Sequence, residues 1–259
     1  MLTFRSASIL MIILAVLVLL LMIALPHFWW LLIPVIIVYL LMLVIGSANI
    51  RSGFYLKAFC QGNTSEKIAA LTFDDGPDAK NTPLVLDALE KHHIQATFFL
   101  IGNKAEKQAE LVRLILSKGH NVGFHSYSHD FFFDFFSNEK MEQDLLKAED
   151  IMLKETGKRP LLFRPPYGVT NPTLSKVTKK LGYKVTGWSV RSCDTTIKDA
   201  ERIAERVIRK LHPGAVVLMH DTLDITPVAV EMIIRKAGEA GYHFVRLEEL
   251  LGVEAYDNN

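Results

Sequence analysis

The chain has 259 residues, half of them hydrophobic and 22% charged, with a formal net charge of +1. This length allows one or two domains, and a near-neutral balance without a basic run excludes the electrostatic footprint of a nucleic-acid binder. Cys60 and Cys193 fit neither a zinc-ribbon spacing nor a disulfide framework and read as two unpaired thiols.

The hydrophobicity is concentrated at the start. From Ser6 through Ile50 there is no Lys, Arg, Asp or Glu. As one helix the stretch would be about 68 Å long, roughly twice the hydrocarbon core of a bilayer. Two spans fit better, about Ala7–Leu25 and Phe28–Gly46. The turn falls at Pro26 and His27, and Phe28, Trp29 and Trp30 suit an interfacial aromatic belt. A signal peptide is the rival reading, but its apolar core is only about 7–15 residues, and Ser47-Ala48-Asn49 is a weak cleavage site. Residues 1–50 are therefore read as a retained two-helix membrane anchor whose partner is the lipid bilayer. A juxtamembrane connector follows over residues 51–66, then a domain over residues 67–251 and a tail over residues 252–259.

Within the domain, apolar runs that read as buried strands alternate with amphipathic segments. The strands are Ile68–Phe73, Thr97–Ile101, Asn121–Phe124, Leu161–Phe163, Lys184–Trp188, Ala215–Met219 and His243–Arg246. The helical segments are Pro83–His92, Lys104–Ser117, Asn138–Glu155, Pro172–Leu181, Asp199–Leu211 and Pro227–Ala240. In Lys104–Ser117, Leu111, Leu114 and Ile115 recur at helical spacing before Gly119 stops the helix. Such alternation predicts parallel strands with right-handed crossovers, an α/β fold. About seven units make a distorted or incomplete (β/α) barrel, with an open doubly wound sheet as the alternative. A barrel gathers its chemistry at the C-terminal ends of its strands, and the unusual residues of this chain lie there.

The first strand runs into Asp74-Asp75-Gly76-Pro77. Two adjacent carboxylates after a buried strand are costly unless a metal, a proton or an Arg neutralises them, although Asp-Gly-Pro is also ordinary turn chemistry. The third ends in His125-Ser126-Tyr127-Ser128-His129, where two imidazoles four apart on one face of a helical turn suit a shared metal. With Asp75 they make a two-His, one-carboxylate set with coordination positions left open. The fourth ends in Arg164-Pro165-Pro166-Tyr167-Gly168, which aims Arg164 at the strand-end face, and Ala215–Met219 runs into His220-Asp221. Taken singly, each of these also reads as a structural loop or a core histidine.

Together, Thr-Phe-Asp-Asp-Gly-Pro, His-Ser-x-x-His, Arg-Pro-Pro-Tyr-Gly and Leu-x-His-Asp resemble, in family order, the polysaccharide deacetylases of carbohydrate esterase family 4. The resemblance is to the nodulation-type chitooligosaccharide deacetylase domain and covers roughly Lys67 to Leu251. It implies that Asp74 is the catalytic base and that Asp75, His125 and His129 hold one divalent metal, zinc before cobalt, nickel or iron. It further implies that Arg164 tunes the base, that the Tyr167 N–H is the oxyanion donor, and that Pro165 and Leu218 contact substrate. His220 is the implied general acid, with Asp194 orienting it. The family's Asp-x-x-Asp-Trp is here Arg191-Ser192-Cys193-Asp194-Thr195, so Thr195 replaces a groove-walling Trp. Trp188 is a possible substitute, though it reads more simply as strand core.

The implied activity is hydrolysis of the N-acetyl amide of an N-acetylated glycan in the cell envelope. The alternatives are a deacetylase of a small or lipid-linked substrate, or a glycan-binding pseudoenzyme. No protein partner is inferable. Arg5 against Arg51 and Lys57 is a weak charge bias toward a cytoplasmic domain, whereas a polymer substrate places the domain on the extracytoplasmic face. The six phenylalanine and aspartate positions Phe131–Phe136 read either as core packing or as an apolar rim beside the site.

Overall fold

The computed structural model describes residues 2–257. Met1 of the expected anchor and Asn258 and Asn259 of the expected tail lie outside the described residues.

Two apolar helices come first, α1 (Phe4–Ala24) and α2 (Leu32–Ala48), joined by a 3₁₀ turn over Pro26–Leu31. Both helical arms are long and apolar enough to cross a membrane. The second helix starts four residues later than expected. Pro26 opens the 3₁₀ turn, and Pro34 falls in the first turn of α2, where a missing N–H leaves no hydrogen bond unmade.

The domain that follows is a half-barrel of parallel strands wrapped by helices. Its strands are β1 (Ile68–Asp74), β2 (Thr97–Leu100), β3 (Asn121–Phe124), β4 (Leu162–Phe163), β5 (Lys184–Val185), β6 (Val190–Arg191), β7 (Ala215–His220) and β8 (His243–Phe244). They pair in the order β5-β4-β3-β2-β1-β7-β6, and β8 adds to the start of β1. The helices are α3 (Asn81–Lys91), α4 (Gly102–Lys107), α5 (Ala109–Ser117), α6 (Asn138–Thr156), α7 (Pro172–Leu181), α8 (Ala200–Lys210), α9 (Thr226–Glu239) and α10 (Leu247–Leu251). Two sequence expectations change. Lys104–Ser117 is two helices broken at Gln108, whose side chain donates to the Pro77 carbonyl. Lys184–Trp188 shortens to two residues, and an unanticipated strand, β6, pairs with β7, so Ala215–His220 is seventh in chain order rather than sixth.

The period of two along β1 separates two cores. Ala69, Leu71 and Phe73 join the large cluster beneath the helices, with Leu86, Val112, Leu145, Val207 and Ile233 among its members. Ala70 instead joins Phe99, Leu162 and Val216, a small cluster inside the barrel plugged by Leu247 and Leu250 of α10. Thr72 and Asp74 continue the same inward row toward the strand ends. Filling the lower barrel with apolar side chains leaves only its upper layer for polar groups.

The barrel is open between β5 and β6, and the segment expected as a connector crosses that seam. Phe59 pairs in parallel with Thr186, its N–H donating to the Val185 carbonyl at 2.9 Å, and Gly187 N–H donates to the Phe59 carbonyl. Gln61 then pairs antiparallel with Ala215, and Gly62 N–H donates to the Gly214 carbonyl. Gly214 has φ +76°, and a Cβ there would overlap the Gly62 carbonyl oxygen. Gly214→Ala is therefore expected to lose about 1–3 kcal/mol for the left-handed backbone plus the displaced seam hydrogen bond. Gly157→Ala, at φ +70° with open space around it, carries the backbone cost alone. Urea unfolding of the full chain in detergent checks this, and equal losses in the two variants would remove the seam from the account.

Candidate active site

The upper layer of the barrel is held by one buried cation. Arg164 follows β4 and is fully buried. Its Nη1 donates to Asp74 Oδ1 at 2.7 Å and to Thr72 Oγ1 at 2.8 Å, and its Nη2 donates to the Gly187 carbonyl at 2.8 Å. The guanidinium carbon lies over Phe99, 4.1 Å from the ring centroid, and 5.9 Å from that of Trp188. The buried Asp74 carboxylate thereby gains the opposite charge and hydrogen bond that a carboxylate out of solvent requires. Trp188 packs against the small cluster inside the barrel, as a core reading expects, but from outside any strand. It lies beyond β5, half-buried over the guanidinium, and packs against Gly168, where a side chain would overlap its ring.

Asp75, His125 and His129 converge beside this pair. His129 Nε2 lies 3.3 Å and His125 Nε2 3.6 Å from Asp75 Oδ1. All three donor atoms fall within 4.8 Å of one another. A tetrahedral ion with bonds of about 2.0–2.1 Å has edges of roughly 3.3–3.4 Å, close to the two carboxylate–imidazole separations, so these three groups could hold a divalent metal. His125 Nδ1 lies 2.7 Å from the Arg164 carbonyl, which only accepts, so Nδ1 is the donor and the neutral tautomer is the one with its lone pair on Nε2. Burial and the neighbouring His125 push the His129 pKa down, which also favours a neutral ligand.

The two imidazoles are not on a helical turn. Residues 125–129 form an irregular loop in which Ser126 and His129 adopt left-handed φ of 61° and 47°. Asp144 of α6 accepts from the Tyr127 and Ser128 N–H groups, and Ser126 Oγ accepts from the His129 N–H. Convergence comes from this clamp, since a helical i, i+4 spacing is absent. Asp75 is left-handed too, at φ 73°, and Lys104 Nζ donates to its carbonyl at 2.8 Å. Lys104 and Asp144 act only through tertiary hydrogen bonds, so no local pattern singled them out.

His220 closes the opposite side. It ends β7 in register with Asp74. Asp194 Oδ1 accepts from His220 Nδ1 at 2.8 Å, and its Oδ2 accepts from the His220 backbone N–H at 2.8 Å. Burial works to lower the His220 pKa, but the Asp194 hydrogen bond and charge, with Asp74 and Asp75, outweigh it and leave it raised. Its Nε2 points across the mouth, 4.0 Å from Asp75 Oδ2. Leu218 is buried one inward step below, Pro165 is extended, and Tyr167 is left-handed with a half-exposed ring 5.0 Å from His129. Thr195, where a groove Trp was expected, is exposed. An open cavity of 340 Å³ lies at Asp75, His129, Asn103, Lys104, Ser128 and Thr222.

Asp221, the neighbour of His220, is fully buried. Its Oδ2 accepts from Thr82 Oγ1 at 2.6 Å, its Oδ1 has no partner among the described residues, and the carboxylate abuts Gly76. Burial pushes its pKa up to about 7. In the unfolded chain it titrates near about 3.9. The folded state therefore binds the extra proton, and this stability is fully present below pH ~4 and lost as pH rises through about 7. Asp221→Asn, neutral throughout, is expected to unfold at a less pH-dependent temperature between pH 4 and 8 and to gain on the parent at the alkaline end. Parallel melting curves in that range check the sign.

Comparison with known proteins agrees with this architecture. The polysaccharide deacetylase family matches residues 61–186. A peptidoglycan-N-acetylglucosamine deacetylase of Bacillus cereus is 38% identical over 192 residues, covering 72% of this chain and 89% of that protein. Peptidoglycan-N-acetylglucosamine deacetylase PgdA of Listeria monocytogenes is 36% identical over 192 residues, a stretch that is 74% of this chain but 40% of that longer relative. The crystal structure of the Bc1960 peptidoglycan N-acetylglucosamine deacetylase superposes with a TM-score of 0.74 at 30% identity, covering 83% of this chain and 98% of that one. With its half-barrel, its four strand-end motifs and these relatives, the chain belongs to the polysaccharide deacetylase family.

Proposed function

We propose that the chain hydrolyses the N-acetyl amide of an N-acetylated sugar in an envelope glycan, releasing acetate. The observation that carries this reading is the opposition of two proton-handling groups across the Asp75–His125–His129 cluster. Asp74 is fixed by Arg164 on one side and His220 by Asp194 on the other. The relatives act on peptidoglycan N-acetylglucosamine by name, which supports a peptidoglycan-type glycan over the chitooligosaccharide of the nodulation subtype.

A divalent ion held by Asp75, His125 and His129, zinc first among the choices, would polarise the acetyl carbonyl and acidify a water. Asp74 takes the proton of the water whose oxygen attacks the carbonyl carbon. Arg164 holds the Asp74 carboxylate in position through its Nη1 hydrogen bond. The Tyr167 N–H stabilises the developing oxyanion, a contribution of about 3–4 kcal/mol for such a donor. Protonated His220 then gives its Nε2 proton to the nitrogen as the C–N bond breaks, so the sugar leaves as an amine and not as an amide anion. Pro165 and Leu218 bound the space for the acetyl methyl. In this reading α1 and α2 anchor the enzyme in the membrane, with the barrel on the extracytoplasmic face where the glycan lies.

Acetate release from an N-acetylglucosamine oligomer, measured beside metal content, tests the assignment. Asp74→Asn is expected to keep the metal and lose activity by about 10²–10⁴-fold. Asp75→Asn is expected to lose the metal, and His220→Ala to keep metal and substrate affinity with a lower kcat. Asp194→Asn removes what raises the His220 pKa, so the imidazolium deprotonates earlier and the alkaline limb moves to lower pH. An unmoved alkaline limb, or full activity in His220→Ala, would take His220 out of the general-acid role.

A further inference from the structure

The run from Phe131 to Phe136 divides sharply. Phe133 and Phe136 are core, whereas Phe131, Phe132 and Phe135 are 76%, 62% and 84% exposed. The three exposed rings form one patch, with centroids 5.1 Å apart for Phe131 and Phe132 and 6.5 Å for Phe132 and Phe135. Phe131 continues it to Tyr167, 6.5 Å away, at the mouth of the site. Three adjacent exposed phenylalanines on a water-facing surface are unfavourable and mark a contact.

Hydrogen bonds tie this patch to the end of the second apolar helix. Asn171 Nδ2 donates to the Asp134 carbonyl at 2.9 Å, inside the aromatic run. The preceding residue, Thr170, donates its N–H to the Ser47 carbonyl at 3.0 Å, and Ser47 Oγ donates to the Thr170 carbonyl at 2.6 Å. Thr170 Oγ1 also donates to the Gly46 carbonyl at 3.3 Å. The patch therefore lies within a few residues of the last turn of α2. Val44 and Ile45 of that turn are exposed and apolar. At the same end Phe4, Phe54 and Tyr55 make an aromatic cluster, and Trp29 and Trp30 mark the opposite end of the hairpin. The 21 and 17 residues of α1 and α2 span about 32 and 26 Å, close to the thickness of a hydrocarbon core. Aromatic residues at the two ends of such a span mark the two interfaces.

We infer that Phe131, Phe132 and Phe135 insert into the headgroup boundary of the bilayer, on the same side as the end of α2, and hold the catalytic mouth against the membrane surface. The inference rests on the reading of α1 and α2 as membrane spans. It restricts the substrate to glycan presented at the lipid surface, since the lip of the site next to Tyr167 faces lipid. A sugar-stacking platform is the competing use of the same rings.

The test uses the full chain in phosphatidylcholine nanodiscs, with Phe132→Trp and Phe135→Trp variants read against the parent and its native Trp29, Trp30 and Trp188. Replacing the lipid by one brominated near the carbonyl end of its acyl chains is expected to quench the added tryptophan and find its emission blue-shifted. An added tryptophan that emits as in water and is unquenched, while Trp29 and Trp30 of the parent are quenched by lipid brominated deep or shallow, overturns this inference and leaves the anchor standing. Parent tryptophans unquenched at every depth overturn the anchor reading and the inference with it. The Phe131→Ser, Phe132→Ser, Phe135→Ser triple variant is expected to hydrolyse a soluble N-acetylglucosamine oligomer with unchanged KM. A raised KM there, with the added tryptophans unquenched, assigns the rings to sugar.

Discussion

A fully buried guanidinium paired with a buried carboxylate is the constraint around which the upper barrel is arranged. Arg164 and Asp74 are both out of solvent, and desolvating either charge alone is expensive by several kcal/mol. Each remaining feature of the layer answers that expense. Thr72, one inward step below Asp74, shares Nη1, the Gly187 carbonyl takes Nη2, and the rings of Phe99 and Trp188 cover the guanidinium. The Arg164 carbonyl in turn fixes the tautomer of His125. One residue therefore positions the proposed base and fixes the tautomer of a proposed metal ligand.

The second constraint is backbone shape. Asp75, Ser126, His129, Tyr167 and Cys193 all have left-handed φ, and Asp75, His129 and Tyr167 border the mouth. Such conformations are unfavourable for residues with a Cβ and persist where surrounding hydrogen bonds over-determine them. The clamp from Asp144 and the Lys104 bond to the Asp75 carbonyl do this here. Asp74 and His220 end their strands, whereas Asp75 and His129 sit on left-handed turns that bring their side chains together.

The apolar hairpin and the barrel are one structure at their junction. The segment after α2 supplies Phe59 and Gln61 to the open seam, and the last turn of α2 bonds the turn that carries Tyr167. A hairpin attached in this way fixes its own orientation relative to the mouth, whereas a flexible linker would leave it free. Cys60, at the seam, is buried against Gly187, and both thiols are free as the sequence suggested.

What the sequence determined by itself was the set of elements whose physics is local. The charge-free run, the alternation of apolar strands with amphipathic helices, and the polar clusters after β1, β3, β4 and β7 are visible because each lies within one window of a few residues. The candidate site residues were legible for the same reason, as motifs at strand ends, strengthened by family resemblance. What only the tertiary structure decided depends on neighbours distant in the chain. A two-residue strand such as β6 has no periodicity of its own and exists because the edge of β7 offers it hydrogen bonds. The closure of the barrel by Phe59 and Gln61, the cover that Trp188 gives Arg164, and the division of the phenylalanine run are of the same kind. So is the convergence of His125 and His129, which a helical spacing suggests but Asp144, fifteen residues beyond His129, enforces. Hydrogen bonds and burial between remote segments set these features, and neither leaves a pattern in the local sequence.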